Sequence, residues 1–452
     1  MASHFEQLRA RLSDPGSLLT DPSQFDDYSH DATAYNAIPA AVVKARSAED
    51  IATAVTFCSD HSIPITPRGA GTGLSGGCVA TPGALVISTE LLNHLELDSA
   101  NMTAICGAGV ITKDLEEAAS KVGLTYPPDP ASWKESTLGG NVAEGAGGLR
   151  CKKFGVTKDY VIGLESVLHD GSTLRTGVFN QARGLNLGDL QIASEGTLSI
   201  VTRIAVRLSP PIEKGSTILV AFDHPKGAAQ TVSDITAAGI IPTILEFLDG
   251  DAAACSNAYE KTEGLDSVAA LLLLETTSIE GGKEAVRIEQ ICRKNNSVYF
   301  RREDDADRAD ELWRVRRNLS KAIKQSAAYR ISEDVAVPNS KFPQLVQWVA
   351  EQNGKHGLRV NSFGHAGDGN LHVNFLAGDT KPSTMALIEE QVDRLMRVTL
   401  DLGGTLTGEH GIGLAKKKYL SWEFDSATLS FMKTIKSVFD PNRRLNPDKL
   451  LG

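Results

Sequence analysis

The sequence lacks an apolar segment long enough to cross a membrane. One of its longest apolar runs, Val268 to Leu274, is far shorter than the roughly 20 residues that a spanning helix needs. Residues 1–12 carry Phe5, Leu8 and Leu12 at helical spacing among charged residues, without the apolar block and cleavage site of a secretory signal. We therefore expect a cytoplasmic protein without a transmembrane segment. Any association with a membrane would be peripheral and made through a partner.

Cysteine is scarce and scattered. The chain has six cysteines with no close pair, a pattern that fits neither a disulfide framework nor the cysteine clusters that hold iron–sulfur centres. We expect all six to be buried or partly buried thiols: Cys58, Cys78, Cys106, Cys151, Cys255 and Cys292. If the protein transfers electrons, an iron–sulfur relay would have to lie on another chain.

Positive charge is also in deficit. A net charge of −10 and a pI of about 5.6 argue against nucleic acid as a partner, although an acidic protein can still hold a locally basic pocket for an anionic substrate. At 452 residues, with 41% apolar residues, the chain is long enough for two or three domains with buried cores. The sequence leaves open whether the chain forms a homodimer.

Glycine, in contrast, is plentiful and occurs in clusters along the chain. Residues 68–77 contain the Gly-x-Gly-x-x-Gly spacing of a dinucleotide-binding fingerprint. That motif must open a helix whose N-terminus holds the pyrophosphate. Here Cys78 to Gly83 cannot begin a helix, and Ala84 to Ser88 is typical of a strand. We therefore predict a loop of exposed backbone N–H groups that binds a diphosphate. A plain flexible loop is the alternative.

A second glycine-rich segment, residues 137–148, follows a rigid proline turn at residues 127–132. Two such surfaces can line both sides of one extended ligand. In the second half of the chain, strands and helices alternate, which predicts an antiparallel sheet with helices on one face. Residues 303–325 are expected to form one long helix.

Two histidines mark the third feature, in the segment Gly364 to Asn374. His365 and His372 are separated by a glycine-rich turn, which favours a strand, a tight turn and a second strand over a helix. Further along, Glu409 and His410 lie in another glycine-rich turn. Two imidazoles and a carboxylate suit a divalent ion with an open coordination position. Ordinary polar turn residues are the alternative.

Together, these motifs resemble those of the FAD-linked 2-hydroxyacid dehydrogenases and oxidases, which include D-lactate dehydrogenase, D-2-hydroxyglutarate dehydrogenase and the glycolate oxidase flavin subunit. The similarity runs from about residue 25 to the end. It is carried by Pro67-Arg68-Gly69-Ala70-Gly71-Thr72-Gly73, Gly139-Gly140-Asn141-Val142-Ala143-Glu144, Ser194-Glu195-Gly196-Thr197, Gly364-His365-x-Gly367-Asp368-Gly369-Asn370-Leu371-His372, Glu409-His410-Gly411 and Asn446-Pro447-x-Lys449.

The resemblance implies an α+β fold with three parts. Residues 1–210 are expected to form a vanillyl-alcohol-oxidase-type (PCMH-type) FAD-binding domain, and residues 211–425 a ferredoxin-like cap domain with the substrate and metal site. Residues 426–452 would form a C-terminal helical segment that packs back on the FAD domain.

The resemblance also implies which residues hold the cofactor. The expected FAD contacts are Pro67, Arg68, Gly69, Ala70, Gly71, Thr72, Gly73, Gly76, Gly77, Pro130, Ser132, Gly139, Gly140, Asn141, Gly147, Glu195, Gly196, Ile200 and Asn446. Covalent flavoproteins of the wider superfamily carry a histidine in the glycine loop. None occurs from Arg68 to Gly77, so we expect FAD to be bound non-covalently.

For the chemistry, the resemblance assigns one set of residues to the metal and another to the substrate. His365, His372 and Glu409 would bind a divalent metal (Zn, Mn or Fe), and His410 would be the catalytic base. The substrate contacts would be Arg316, which pairs with its carboxylate, together with Asn374 and Ser320.

Two departures from the family pattern bear on this reading. Gly145 stands where relatives often have Asn, so one polar flavin contact is expected to be missing. Relatives specific for 2-hydroxyglutarate carry Thr and Lys where Ser320 and Ser332 stand, which weakens a dicarboxylate reading. Arg330 could substitute for that lysine only if the backbone turns its side chain inward. We expect the Arg330 side chain to be solvated instead.

The expected activity is therefore oxidation of a small D-2-hydroxy acid, of the D-lactate or glycolate class, to the 2-oxo acid. Arginine holds the carboxylate, histidine takes the hydroxyl proton and electrons pass to a non-NAD acceptor or partner redox subunit. D-2-hydroxyglutarate oxidation is the alternative within this class. A metal-dependent hydrolase and a non-catalytic flavin relay are the alternatives outside it.

Overall fold

The computed structural model describes residues 2–180, 184–213, 215–262, 265, 267–276 and 281–451. The chain forms two compact units. The first comprises Met1–Gly148, Gly155–Pro211 and Glu409–Gly452, and the second comprises Leu149–Phe154 and Ile212–Gly408.

These units differ from the expected domains at two short segments, and the boundary near residue 211 falls one residue later than expected. Residues 149–154, assigned from the sequence to the first domain, belong to the second unit, and residues 409–425, assigned to the cap, belong to the first. The second difference has a local cause. The backbone N–H groups of Ile412 and Gly413 donate to the carboxylate of Glu195, so this segment is held inside the first unit.

The first unit contains two sheets. Their strands are β1 (Leu18–Leu19), β2 (Ala41–Lys44), β3 (Ile65–Arg68), β4 (Leu85–Ser88), β5 (Leu95–Asp98), β6 (Thr103–Gly107), β7 (Val161–Val167), β8 (Thr173–Arg175) and β9 (Ile200–Arg207). The smaller sheet has the order β1-β2-β4-β3 with β4 parallel to both β2 and β3, and the larger has the order β5-β6-β9-β7-β8 with antiparallel pairs.

The helices of this part of the chain are mostly short. They are α1 (Ala2–Arg9), α2 (Asp26–Ser29), α3 (Ala48–His61), α4 (Thr112–Lys121), α5 (Leu138–Glu144), α6 (Cys151–Phe154), α7 (Thr157–Tyr160) and α8 (Leu187–Gln191), of which α6 belongs to the second unit. Helix α3 makes the crossover between the parallel strands β2 and β3. It begins after Ser47, whose hydroxyl accepts the N–H of Asp50 and satisfies one free donor of the first turn.

The core of the first unit lies between its helices and both sheets. It includes Phe5 and Leu8 of α1, Phe57 of α3, Ile87 of β4 and Ile204 of β9. Each such side chain contributes roughly 1.5–3 kcal/mol by leaving water. This core fixes the strand ends from which the glycine-rich loops extend.

The second unit is built on one seven-stranded antiparallel sheet of order β13-β10-β12-β11-β15-β16-β14. Its strands are β10 (Thr217–Phe222), β11 (Ile244–Asp249), β12 (Ala270–Glu275), β13 (Ser297–Glu303), β14 (Tyr329–Ala336), β15 (Arg359–Gly364) and β16 (Asn370–Ala377). Its remaining helices are α9 (Pro225–Ala237), α10 (Gly250–Tyr259), α11 (Gly281–Lys294), α12 (Ala306–Arg317), α13 (Leu319–Gln325), α14 (Phe342–Gln352) and α15 (Pro382–Asp401). The antiparallel sheet was predicted.

Helices cover both faces of this sheet, so the prediction of helices on one face was wrong. On one face, α10, α12 and α13 pack on alternate strand residues, among them Leu248 and Phe363. On the other face, Phe247 of β11 meets Phe342 of α14 edge to face at a centroid distance of 5.7 Å. Because successive strand residues point to opposite faces, Phe247 and Leu248 serve different helix layers.

The single helix predicted for residues 303–325 is also corrected. Glu303 is the last residue of β13, and Asp305 caps α12 by accepting the N–H groups of Asp307 and Arg308. Asn318 then separates α12 from α13, and its side chain donates to Glu260 at 2.6 Å.

The chain ends in the first unit with α16 (Leu420–Glu423) and α17 (Ser426–Phe439), followed by a tail. Among the described residues, no helix combines the length and the apolar character needed to cross a membrane.

Candidate active site

The glycine loop after β3 presents a run of unused donors. In the part of the chain that the structure describes, the backbone N–H groups from Gly69 to Leu74 have no protein acceptor. The loop is held from behind by the guanidinium of Arg68, which donates to the carbonyl oxygens of Asp27 and His30 at 2.5 and 2.8 Å. Consecutive free N–H groups of this kind form an anion-binding nest. This geometry fits a diphosphate.

Glycine is required at one position of this loop. Gly71 has a φ of +75°, and a Cβ there would lie 2.0 Å from Nη2 of Arg68. Any other residue would displace either the loop or the arginine that holds it.

A cavity of about 220 Å³ extends from this loop within the first unit. The residues expected to contact FAD all line it, except Gly76 and Asn446. The backbone N–H of Gly76 donates a hydrogen bond to the carboxylate of Asp31. Asn446 lies behind the wall, where its amide donates to the carbonyl oxygens of Gly77 and Glu195 at 2.8 and 2.7 Å. Both therefore support the wall of the cavity.

The second glycine-rich segment forms a short helix, α5, at the cavity wall. Thr137 caps it by accepting the N–H of Gly140. A Cβ on Gly139 would lie 2.7 Å from Cβ of Ala108, so glycine permits close packing of this turn on the sheet. Gly145 ends the helix in the left-handed conformation, with a φ of +66°, which favours glycine or asparagine.

His410 lines the same cavity, as does Glu409. The loop that follows is fixed by Glu195, whose two carboxylate oxygens accept the N–H groups of Ile412 and Gly413 at 2.7 and 2.6 Å. Glu195 thus anchors the loop that follows His410, a role that the sequence did not predict.

Glu144 also lines the cavity, although no role was predicted for it from the sequence. Burial, and then the negative charges of Glu195 and Asp31, raise the pKa of Glu144 well above its usual range. The neutral carboxyl group that this favours can donate a hydrogen bond into the cavity. The only signal for it in the sequence was its place at the end of a glycine-rich motif.

In the second unit, the predicted strand, turn and strand around the two histidines is confirmed. His365 follows β15, a 3-10 turn spans Ala366–Asp368, and His372 lies on β16. Both imidazoles are buried, and their ring centroids are 5.5 Å apart at 87°. Two buried imidazoles at this spacing fit the donor chemistry of a Zn, Mn or Fe site.

Glu246 on β11 organises this pair and was missed from the sequence. Its fully buried carboxylate accepts Nδ1 of His365 at 2.6 Å and Nε of Arg316 at 2.5 Å. Burial would raise the pKa of Glu246, but His365 and Arg316 outweigh it and lower the pKa to about 2. Metal-binding histidines commonly carry such a carboxylate on the nitrogen that does not bind the metal.

The predicted substrate residues lie around the same side of the sheet. The guanidinium of Arg316, on α12, stacks 5.0 Å from the ring centroid of Phe363, which in turn lies 5.1 Å from His372. Asn374, two residues after His372 on β16, is buried, and its amide donates to Oδ1 of Asn361 at 2.8 Å.

Arg330 was expected at a solvated position, and this expectation was wrong. It is partly buried. Its Nε donates to Oδ1 of Asn374 at 2.7 Å, and its Nη atoms lie 3.2 Å from the hydroxyl oxygens of Ser320 and Ser332. The strand turns this side chain onto the face that carries Asn374.

Two family models match this chain. The family model for FAD linked oxidases, C-terminal domain, matches residues 212–450, and the model for the FAD binding domain matches residues 39–177. Glycolate oxidase subunit GlcD of Bacillus subtilis (strain 168) is 40% identical over 450 residues, which cover 96% of this chain and 95% of the relative. D-lactate dehydrogenase of Archaeoglobus fulgidus is 33% identical over 91% of each chain. D-2-hydroxyglutarate dehydrogenase of Stutzerimonas stutzeri (strain A1501) is 31% identical over 98% of this chain and 97% of the relative.

Two solved structures share the fold. Alkyldihydroxyacetonephosphate synthase superposes with a TM-score of 0.79 at 19% identity, covering 100% of this chain and 86% of that one. p-Cresol methylhydroxylase also gives 0.79, at 15% identity, covering 100% and 96%. At these identities the likeness establishes the fold alone.

The chain belongs to the FAD-linked oxidase family and is an FAD-dependent oxidoreductase. Its fold is the expected α+β arrangement with a PCMH-type FAD-binding domain. The family resemblance that the sequence motifs indicated is confirmed.

Proposed function

We propose that the protein oxidises the 2-hydroxyl group of a small D-2-hydroxy acid to the 2-oxo acid. The observation that carries the proposal is the buried carboxylate of Glu246, which binds both His365 and Arg316, with the imidazole of His372 5.5 Å from that of His365. Arg316 suits the carboxylate of a 2-hydroxy acid, and a metal held by His365 and His372 would suit its neighbouring hydroxyl. The relatives named above act on glycolate, D-lactate and D-2-hydroxyglutarate according to their names.

Each expected residue has a role in this reaction. The free end of the Arg316 guanidinium would hold the substrate carboxylate, because its Nε is committed to Glu246 and both Nη atoms remain for a bidentate contact. His410 would take the hydroxyl proton, so that the hydrogen on C2 can leave with both bonding electrons. Asn374 and Ser320 would complete the contacts to the substrate.

FAD, when bound non-covalently along the cavity of the first unit, supplies the acceptor for those two electrons. His365, His372 and Glu409 would hold a divalent metal, which as a Lewis acid lowers the cost of negative charge on the substrate oxygen. Reoxidation would use a non-NAD acceptor or a partner redox subunit. Family membership argues against the metal hydrolase that the sequence left open.

Anaerobic reduction of the bound flavin tests the proposal. The purified FAD-loaded protein would be mixed with both enantiomers of lactate, malate and 2-hydroxyglutarate, and with glycolate. We expect at least one D-2-hydroxy acid or glycolate to bleach the visible flavin absorbance, with one equivalent of 2-oxo acid formed per flavin. If dithionite bleaches the flavin while no acid in the panel does, the proposed function is wrong.

A further inference from the structure

We propose that Arg330, with Ser320 and Ser332, binds a second acidic group of the substrate, so that the enzyme selects 2-hydroxy acids that carry an additional carboxylate. This inference rests on the proposed function. It adds a specificity-determining residue at a position where the sequence pattern alone favoured the loss of that specificity.

The three side chains form one cluster on the sheet. In the register of the antiparallel pair β14–β16, Ser332 lies opposite Asn374 and Arg330 lies opposite Leu376. Arg330 and Ser332 are two residues apart on one strand and therefore share a face. Ser320, on α13, approaches the same face, with its hydroxyl oxygen 3.2 Å from Nη1 of Arg330.

Among the described residues, none provides a counter-charge for Arg330. Its hydrogen-bond acceptors are the amide oxygen of Asn374, the hydroxyl oxygens of Ser320 and Ser332, and the carbonyl oxygen of Ser320. Within the described residues no carboxylate lies at ion-pair distance from it. Burial lowers the pKa of Arg330 to about 10, which leaves the group charged at neutral pH.

Two other arginines on this side of the unit show the contrast. Arg316 is paired with Glu246 at 2.5 Å, and Arg359 is paired with Asp251 at 2.7 Å. Arg359 lies opposite Leu376 on β15, as Arg330 does on β14. Only one of the two arginines that flank Leu376 therefore has its charge neutralised.

An uncompensated, partly buried cation is costly for a folded protein. An anionic ligand can supply the missing counter-charge for such a group. A planar guanidinium with two flanking hydroxyls matches the geometry of a carboxylate. Asn374, an expected substrate contact, touches Arg330 directly. The cluster therefore recognises a part of the substrate adjoining Asn374, while Arg316 is left for the first carboxylate.

The cluster also explains how the two serines are compatible with a dicarboxylate substrate. Relatives specific for 2-hydroxyglutarate were expected to place a lysine where Ser332 stands. Here the cation comes from two residues earlier on the same strand face, and the small serine leaves room for the longer arginine side chain.

The test compares substrates on the FAD-loaded wild type and on Arg330 variants. Rates of anaerobic flavin reduction would be measured as a function of concentration for D-malate and D-2-hydroxyglutarate, and for D-lactate and glycolate. We expect the wild type to favour the dicarboxylates. Arg330→Met should lower their kcat/KM by roughly 10- to 100-fold, mainly through KM, because charge-assisted contacts have about this effect. The same variant should lower the values for D-lactate and glycolate by a smaller factor, because these acids have no second carboxylate to lose.

Arg330→Lys and Arg359→Met are the matched variants. The lysine retains the charge and should recover part of the dicarboxylate activity, whereas Arg359→Met removes an equivalent guanidinium beside Leu376 and should preserve the substrate preference. An equal loss by Arg330→Met on both substrate groups would assign Arg330 to the first carboxylate and overturn the inference. So would a similar loss in Arg359→Met.

The wild type alone can also decide the question, even where Arg330→Met does not fold. Flavin reduction by D-lactate or glycolate with equal or better efficiency than by the dicarboxylates would overturn the role of Arg330 and leave the proposed function intact. Reduction by no 2-hydroxy acid would overturn the proposed function itself.

Discussion

The carboxylate of Glu246 accepts the Nδ1 hydrogen of His365 at 2.6 Å, although the two residues are 119 positions apart in the chain. This contact fixes the tautomer of the imidazole and leaves Nε2 available for the proposed metal. The same carboxylate neutralises Arg316. One buried group thus orients the proposed metal ligand His365 and the proposed substrate-binding cation Arg316 together.

Replacing Glu246 should weaken both the fold and the metal site. In Glu246→Gln, the charge that compensates Arg316 is lost in a fully buried position. We expect the free energy of unfolding to fall by about 3–5 kcal/mol and metal affinity to fall by roughly 10- to 100-fold. Chemical unfolding and metal analysis of the purified protein measure the two effects.

Glu390→Gln is the matched control, because Glu390 forms an exposed pair with Arg394. Its effect on the free energy of unfolding should stay below about 1 kcal/mol, with metal content unchanged. Equal stability and metal content in the two variants would contradict the role assigned to Glu246.

A side chain at Gly71 should expel FAD. In Gly71→Ala, the Cβ atom would lie 2.0 Å from Nη2 of Arg68, so the loop and the arginine that holds it cannot both keep their positions. The flavin-to-protein ratio after gel filtration measures the outcome, and we expect at least a tenfold loss of FAD affinity, or about 1.4 kcal/mol.

Gly83 provides the control for backbone strain alone. It too has a positive φ, of +78°, but a Cβ there meets nothing within 4 Å. Gly83→Ala should therefore lose about 1–2 kcal/mol of stability and retain its flavin. If Gly71→Ala keeps as much FAD as Gly83→Ala does, the glycine loop is not the diphosphate site.

Because of Lys449, the free energy of unfolding should increase as the pH rises above about 8. Its ammonium group is buried and donates to the carbonyl oxygen of Val79 at 2.7 Å. Burial lowers its pKa to about 8, against about 10.4 in an unfolded chain. Between these values the unfolded state binds the extra proton, so the free energy of unfolding increases with pH.

The comparison with Lys449→Met isolates this effect. From pH 8 to 10.5, the wild type should gain up to about 3 kcal/mol relative to the variant. Urea unfolding at a series of pH values provides the measurement. If the difference in the free energy of unfolding between the wild type and the variant stays constant or shrinks across this range, the pKa of Lys449 is not lowered by folding.

Local patterns predicted several features of the site correctly. The glycine spacing between His365 and His372 excluded a helix, and the structure has a turn between two strands there. The glycine loop after β3 was separated from a dinucleotide fingerprint because residues 78–83 cannot open a helix, and the next element is strand β4. In both cases the deciding chemistry lies within a few residues.

The missed features depend on contacts between distant residues. Glu246 sits in an apolar strand, and its two partners are 70 and 119 residues away, so nothing near it in sequence marked it as functional. The orientation of Arg330 follows from the register of β14 against β16, because a shift of one residue would turn it to the other face. The division between α12 and α13 likewise involves a contact from Asn318 to Glu260, 58 residues apart.

The rate of flavin reduction in His410→Ala tests the central claim most directly. The variant and the wild type would be loaded with FAD and mixed anaerobically with the acid that reduces the wild type fastest. The visible spectrum before mixing would show that the cofactor is bound equally in both. We predict that reduction slows by at least about 100-fold, because a general base contributes roughly 10²- to 10⁴-fold. A rate within about tenfold of the wild type would contradict the assignment of His410 as the base.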